Sequence, residues 1–166
     1  MKEKSVELLN KAVADELSAI HQYMYFHFRL DDLGYSPLAN LLKRTAIEEM
    51  GHAERLAERI LFLGGEVEME VAEEVVKIHS PKGMLERAQE MEQHSAELYN
   101  RWALECSQNA DSASKRLFED LVADEERHFD QYDTELGNME RFGKDYLALQ
   151  SIERSKTRGG EALGNP

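Results

Sequence analysis

Two glutamate–histidine pairs recur along the chain with matched glutamate partners, and this repeat limits the folds that the sequence can adopt. Glu49 follows Glu16 by 33 positions, and Glu125 follows Glu92 by the same 33 positions. The second set lies 76 positions after the first. A histidine stands three residues after the last glutamate of each set: His52 and His128. Because residues three apart share one face of a helix, the repeat predicts two similar helix pairs. Each pair carries a lone glutamate on its first helix and Glu-x-x-His on its second.

Apolar residues recur at steps of three and four through most of the chain, which predicts long amphipathic helices. The pattern predicts helices over about 4–32, 36–63 and 81–108, a fourth after the turn NADSAS, and a short fifth in KDYLALQSIER. Helices joined by short turns pack antiparallel, and the acidic stretch between the two pairs is long enough to cross a bundle. The predicted fold class is therefore all-α, a four-helix bundle with one long crossover connection and a short C-terminal helix.

The chain length is that of one domain, which we place at 1–153. The remaining residues, 154–166, are polar and rich in glycine, and this composition predicts a disordered tail. Ser80 before Pro81 is typical of a helix start, since serine caps a helix and proline suits its first position.

The four glutamates of the repeat fall on the apolar stripes of their helices, where an uncompensated carboxylate is costly. No lysine or arginine shares those inward positions, so the charge must be balanced in another way. Four carboxylates balance two divalent cations when both histidines are neutral. Carboxylate-rich ligation with some imidazole suits iron or manganese. The sequence therefore predicts a site for two metal ions in the core of the bundle.

Charge and composition exclude several classes of partner. The formal net charge of -13 makes the chain a poor general ligand for nucleic acid or anionic lipid. A single cysteine, Cys106, rules out an intrachain disulfide and a four-cysteine metal site within one chain. The first residues carry acidic side chains and no long apolar run, so we expect no signal peptide, no membrane span and a cytoplasmic location.

Four segments resemble bacterioferritin, the haem-containing bacterial ferritin of the ferritin-like superfamily. They are ADELSAIHQYMYFHFRLDD, AIEEMGHAERLAERILFLGGE, DEERHFDQYDTEL and FGKDYLALQSIERSK, and the resemblance covers roughly residues 5–152. It implies two iron ions per subunit, held by Glu16, Glu49, His52, Glu92, Glu125 and His128. It also implies oxidation of Fe(II) to Fe(III) by dioxygen or peroxide. The ferric mineral would be stored inside a hollow homo-oligomer of 24 subunits.

The same resemblance makes Met50 the axial ligand of a haem shared by two subunits at a two-fold interface. Met50 follows Glu49 and so lies about 100° around the helix from the core. Helix one carries a second apolar line outside the core, comprising Leu17, Met24 and Phe28. Such a line indicates a partner surface, and Ile47 fits the same contact. Tyr23, close to the predicted site, either bonds a ligand carboxylate, donates an electron or packs in the core.

Three alternatives remain open from the sequence. The first is a twelve-subunit mini-ferritin-like protein that detoxifies peroxide. The second is a rubrerythrin-like di-iron peroxidase without storage, although the paired cysteines of rubrerythrin itself are missing. The third is a structural helical oligomer with an empty site, which four carboxylates in the core make improbable. The fifth segment favours the larger cage, because it resembles the last helix of bacterioferritin.

Overall fold

The computed structural model describes residues 2–162 and contains five helices in this range. They are α1 (Glu3–Asp32), α2 (Ser36–Phe62), α3 (Pro81–Gln108), α4 (Ser112–Phe142) and α5 (Lys144–Ala162). Three-residue turns join α1 to α2 and α3 to α4, so each pair packs antiparallel over its length. The two pairs then face each other, with α1 against α3 and α2 against α4. The predicted four-helix bundle is confirmed.

Local capping explains where the second pair of helices begins. The Ser80 hydroxyl accepts a hydrogen bond from the Gly83 N–H at 3.1 Å, which is the cap expected before Pro81. Asp111 accepts from the Ser114 N–H at 3.2 Å and starts α4 at Ser112, inside the segment predicted to be a turn. The turn is therefore shorter than the sequence indicates, because Asp111 satisfies the free N–H groups of the first helical turn.

The crossover between α2 and α3 is an extended segment held along α1. The Asn10 amide donates to the backbone oxygen of Glu66 at 2.9 Å, near the start of the segment. Further along, the Gln22 side chain both accepts from and donates to the backbone of Val76, at 2.8 and 3.0 Å. Ser18, midway between Asn10 and Gln22, accepts two more backbone N–H groups. The crossover therefore runs the length of the bundle and delivers α3 to the opposite end.

The fifth helix is longer than the sequence predicts. It continues to Ala162, past the boundary at 153 where the sequence predicts a disordered tail. Arg154 accounts for part of this order, since its Nη1 donates to the backbone oxygen of Asp31 at 2.6 Å and to the Ser36 hydroxyl at 3.3 Å. These bonds hold α5 on the turn between α1 and α2. The last residues of the predicted tail, 163–166, lie outside the described range.

Two apolar clusters fill the bundle, one toward each end. The first includes Phe26, Leu30, Leu42 and Leu85, and the second includes Leu9, Leu56, Ile60 and Phe118, all fully buried. The middle of the bundle, between the clusters, is where the helices place their inward-facing glutamates. No helix within residues 2–162 is long and apolar enough to cross a membrane.

Candidate metal centre

The four glutamates and two histidines of the repeat lie together in the core. Each of the four bundle helices contributes one carboxylate, and α2 and α4 also contribute one imidazole each. Their side chains are at most 6% exposed. The residues are Glu16, Glu49, His52, Glu92, Glu125 and His128. Such a concentration of charge is unstable in a core unless cations or protons balance it.

The cluster divides into two overlapping groups, each able to hold one ion. In each group one ligand atom per residue lies within 4.8 Å of all the others. Glu49 and Glu125 belong to both groups. The first group adds Glu16 and His52, and the second adds Glu92 and His128. This is the geometry of a dinuclear centre, with two shared carboxylates and one terminal carboxylate and imidazole at each position.

Both imidazoles turn Nδ1 toward the carboxylates. His52 Nδ1 lies 2.8 Å from a Glu49 oxygen and 3.2 Å from a Glu125 oxygen. His128 Nδ1 lies 3.0 Å from the other Glu49 oxygen and 3.4 Å from a Glu92 oxygen. Both Nδ1 atoms, both Glu49 oxygens and one Glu125 oxygen are buried without a hydrogen-bond partner. Buried polar atoms without partners are uncommon, and here they converge as ligands of a metal ion would.

Each imidazole also bonds a carboxylate that lies outside the cluster of six residues. Asp124 Oδ2 accepts from His52 Nε2 at 3.1 Å, and Glu48 Oε2 accepts from His128 Nε2 at 2.8 Å. A proton fixed on Nε2 leaves the Nδ1 lone pair free for a metal ion. Neither residue is among those predicted from the repeat. They were detectable, because Glu48 and Asp124 are themselves 76 positions apart and each directly precedes a glutamate of the cluster.

Two tyrosines bond the lone glutamates in the same symmetric way. Tyr23 donates to Glu92 Oε1 at 2.6 Å, which is the carboxylate contact among the roles considered for Tyr23. Tyr99 donates to Glu16 Oε1 at the same distance. Each tyrosine lies on the first helix of one pair and bonds the glutamate of the other pair. The spacing of 76 positions gives Tyr99 the same relation to the repeat as Tyr23, but the sequence analysis assigned a role only to Tyr23.

The lone carboxylates, Glu16 and Glu92, favour their protonated forms. Burial raises the pKa of Glu16 well above its usual range, and the neighbouring charges of Glu49 and Glu125 raise it further. The pKa of Glu92 is raised for the same reasons. Both carboxyl groups therefore bind a proton more readily than an exposed glutamate does.

Glu125 and the imidazoles favour their charged forms, because groups of opposite charge lie close together. Burial opposes the charged form of His52 and His128, but the close carboxylates of Glu125 and its neighbours outweigh it and raise both pKa values. Burial also opposes the charge on Glu125, but the nearby Glu92 carboxyl group and the two imidazoles lower its pKa to about 2. Metal ions therefore compete with protons for the imidazoles and the lone carboxylates.

We expect the affinity for Co(II) or Zn(II) to rise as the pH is raised through neutrality. The four groups with raised pKa values lose their protons on metal binding, so each displaced proton changes the affinity by up to about tenfold per pH unit. Equilibrium competition with a chelator, corrected for the chelator's own protonation, measures this slope. Proton release into weakly buffered solution is an independent check. A metal affinity that is independent of pH would contradict this competition between metal ions and protons.

Met50 lies outside this cluster, on an exposed part of α2. Its side chain is 59% exposed, and those of Ile47 and Phe28 are 53% and 62% exposed. Leu17 and Met24, predicted to share this surface, are partly buried against the core. The three exposed side chains lie on the α1–α2 pair and leave Met50 accessible to a partner or ligand.

The remaining histidines do not join either metal-binding group within the described residues. His27 Nδ1 lies 2.8 Å from the backbone oxygen of Ala39 and links α1 to α2. His21, His79 and His94 are at least partly exposed.

The helix order and the buried cluster define the class: a four-helix-bundle protein whose core can hold two metal ions between carboxylates and imidazoles. A family model for the ferritin-like domain matches residues 6–142. The bacterioferritin of Desulfovibrio desulfuricans is 40% identical over 147 residues, which cover 89% of this chain and 82% of that protein. The bacterioferritin of Rhodobacter capsulatus is 37% identical over 147 residues, covering 88% and 91%. The chain belongs to the bacterioferritin family.

Two solved structures of these relatives share the fold. The D. desulfuricans bacterioferritin, whose diiron site was captured in different catalytic states, superposes with a TM-score of 0.88 at 39% identity, covering 90% of this chain and 88% of that one. The R. capsulatus bacterioferritin superposes with a TM-score of 0.86 at 34% identity, covering 90% and 93%. That structure has a metal-free dinuclear site and a haem iron in a crystallographic special position.

Proposed function

We propose that this protein oxidises Fe(II) to Fe(III) inside the bundle and stores the ferric product within a homo-oligomeric cage. The observation that carries the proposal is the pair of overlapping ligand groups that share Glu49 and Glu125. Membership of the bacterioferritin family supports it, as does the diiron site of the D. desulfuricans relative. Iron is the expected metal because four carboxylates and two imidazoles form a ligand set of the hardness that iron prefers.

Each residue of the cluster has a distinct part in this proposal. Glu49 and Glu125 would hold both ions, Glu16 with His52 would complete one position, and Glu92 with His128 would complete the other. Four carboxylates and two neutral imidazoles make the loaded site electrically neutral, which removes the cost of buried charge. Tyr23 and Tyr99 hold Glu92 and Glu16 in place, since each donates a hydrogen bond to one carboxylate oxygen. When bound, two Fe(II) ions supply two electrons to dioxygen or hydrogen peroxide.

The proposal extends to the assembly and to haem. We propose a cage of 24 subunits built from two-fold dimers, with Met50 from each of two chains ligating one shared haem. The exposed apolar side chains around Met50 support a contact there. The haem iron of the R. capsulatus protein also supports a haem shared by two chains. That iron is in a crystallographic special position, which lies on a symmetry element that can relate two copies of a chain. The cytoplasmic location expected from the sequence stays a prediction.

Two other functions are compatible with the same core. A twelve-subunit peroxide-detoxifying protein would share the bundle and the dinuclear site, and a rubrerythrin-like peroxidase would share the site without storing iron. The helix α5 favours the larger cage, since it packs against α2 and α4 as an additional C-terminal element. The single Cys106 is buried and has no cysteine partner for a rubredoxin-type centre.

Iron loading of the purified protein tests the proposed function directly. Fe(II) is added without oxygen, oxygen is then admitted, and iron is counted per chain while the visible spectrum is recorded. Storage predicts iron uptake far beyond the two ions that the cluster can hold. The proposed haem predicts a haem absorption band in the same spectrum. Uptake that stops at two ions per chain would instead indicate a di-iron enzyme. Native mass measurement separates 24 from twelve subunits.

A further inference from the structure

A network of charged side chains on the α2–α4 seam joins the two histidines outside the core. Glu48 and Asp124 accept from the Nε2 atoms of His128 and His52. Arg127 bridges the two carboxylates, with its Nη2 atom 2.5 Å from Glu48 Oε2 and 3.1 Å from Asp124 Oδ1. We call Glu48, Asp124 and Arg127 the outer clamp. One guanidinium therefore contacts both residues that orient the imidazoles.

The outer clamp is crossed between the two helices. Asp124 belongs to α4 but holds the imidazole of His52 on α2, whereas Glu48 belongs to α2 but holds the imidazole of His128 on α4. Arg127 contacts one carboxylate on its own helix and one on the opposite helix. Because both imidazoles depend on carboxylates that share this cation, their orientations are connected through a path separate from the bridging glutamates.

The residues of the outer clamp are much more exposed than the imidazoles that they hold. Arg127, Glu48 and Asp124 are 45%, 41% and 35% exposed, whereas the imidazole of His128 is completely buried. Exposed ion pairs contribute little to folding stability. Without further contacts, carboxylates on a solvent-facing seam can also rotate away from the imidazoles. The contacts of Arg127 limit this freedom, so the clamp affects the geometry of the site more than the stability of the fold.

We propose that Arg127 is a positioning residue that fixes both imidazoles through Glu48 and Asp124 and so strengthens metal binding at both positions. This inference rests on the proposed metal site. It assigns no contact between Arg127 and an ion, since the guanidinium acts only through the two carboxylates. Changes to the outer partners of metal-ligating histidines typically cost about 10- to 100-fold in affinity, and we expect about tenfold from the loss of Arg127.

The direction in which a change at Arg127 shifts the metal affinity distinguishes a positioning role from a purely electrostatic one. Arg127 is a cation close to a site for divalent cations, so its charge alone repels the metal ions. If charge were its whole role, neutralising Arg127 would tighten metal binding. If Arg127 positions the imidazoles, neutralising it weakens binding. The two roles predict changes in opposite directions for one substitution.

Co(II) titration of the metal-free protein, followed by its visible absorption, tests the proposal. The variant is Arg127→Gln, and the matched control is Arg55→Gln. Arg55 also bridges the α2–α4 seam, bonding Asp120 at 3.1 Å, but Asp120 is not one of the carboxylates that bond the imidazoles. The wild-type chain should bind two Co(II) ions. Arg127→Gln should bind Co(II) about tenfold more weakly and show an altered Co(II) spectrum. Arg55→Gln should behave like the wild type. Thermal unfolding of the metal-free variants should be nearly the same.

Variants that lack the two carboxylates show whether Arg127 acts through them. In the double variant Glu48→Ala, Asp124→Ala, binding should already be weak, and adding Arg127→Gln should cause no further loss, since coupled residues are not additive. Unchanged or tighter Co(II) binding by Arg127→Gln overturns the proposal while leaving the metal site intact. A further loss in the double background also overturns it. A wild-type chain that does not bind two Co(II) overturns the proposed metal site itself.

Discussion

Replacement of Glu125 by glutamine should reduce the initial rate of Fe(II) oxidation by at least about 100-fold. Glu125 is shared by both ligand groups, so this one change affects both metal positions. Glutamine preserves the size of the side chain but has a single oxygen donor and no charge, so it cannot bridge two cations. The low pKa of Glu125, about 2, shows that the cluster favours this group as an anion. The loss should exceed the change caused by altering an outer partner, because a bridging ligand contacts the ions directly.

Glu126→Gln is the matched control for this experiment, because the same change is made one position along α4. Glu126 is exposed and belongs to neither ligand group. Stopped-flow absorbance after mixing anaerobic Fe(II)-loaded protein with oxygen gives the rates, and native mass measurement shows whether the assembly persists. Fast oxidation by intact Glu125→Gln assemblies would disprove the assignment of Glu125. Equal losses in both variants would point to a general effect of charge.

Replacement of Met50 by leucine should remove haem from the protein and leave Fe(II) oxidation unchanged. Leucine keeps the apolar surface of Met50 but lacks the thioether sulfur that binds haem iron. The side chain is 59% exposed, so this change disturbs no core packing. The in-bundle site lies in a separate set of residues on the inner face of α2, so its chemistry should continue.

Met69→Leu is the control for the haem experiment. Met69 is 64% exposed and lies in the crossover and not on α2. Haem is reconstituted with each purified variant, and the haem absorption band is compared with the protein concentration. Wild type and Met69→Leu should bind one haem for every two chains. A Met50→Leu variant that keeps its haem band would show that another residue is the ligand.

The residues of the candidate site could be found from the sequence because the chain repeats itself. Matched spacings selected four glutamates and two histidines from a chain in which acidic residues are abundant, and the fold places those six together. The same spacing also relates Tyr23 to Tyr99 and Glu48 to Asp124, yet their roles did not follow from it. Glu48 and Asp124 are adjacent in sequence to buried ligands, but they orient imidazoles on the opposite helix.

Helix limits were also largely predictable, since they depend on neighbours in sequence. Ser80 before Pro81 predicts the start of α3, and the structure begins the helix there. The end of α5 was not predictable in this way. Its sequence beyond 153 is polar and contains adjacent glycines, whereas Arg154 finds partners in the distant turn between α1 and α2. Contacts of this kind join residues more than a hundred positions apart and leave no local pattern.

The sequence by itself determined the helices, their pairing and the chemical identity of the buried cluster, because periodicity and spacing are properties of the chain alone. Only the tertiary structure decided which atoms face one another across the bundle. It turned both Nδ1 atoms inward, crossed Glu48 and Asp124 between α2 and α4, and placed Arg127 between them. The physical reason is that such contacts depend on the rotation and offset of packed helices. Side-chain packing along the whole bundle sets that rotation and offset, and no short stretch of sequence does so.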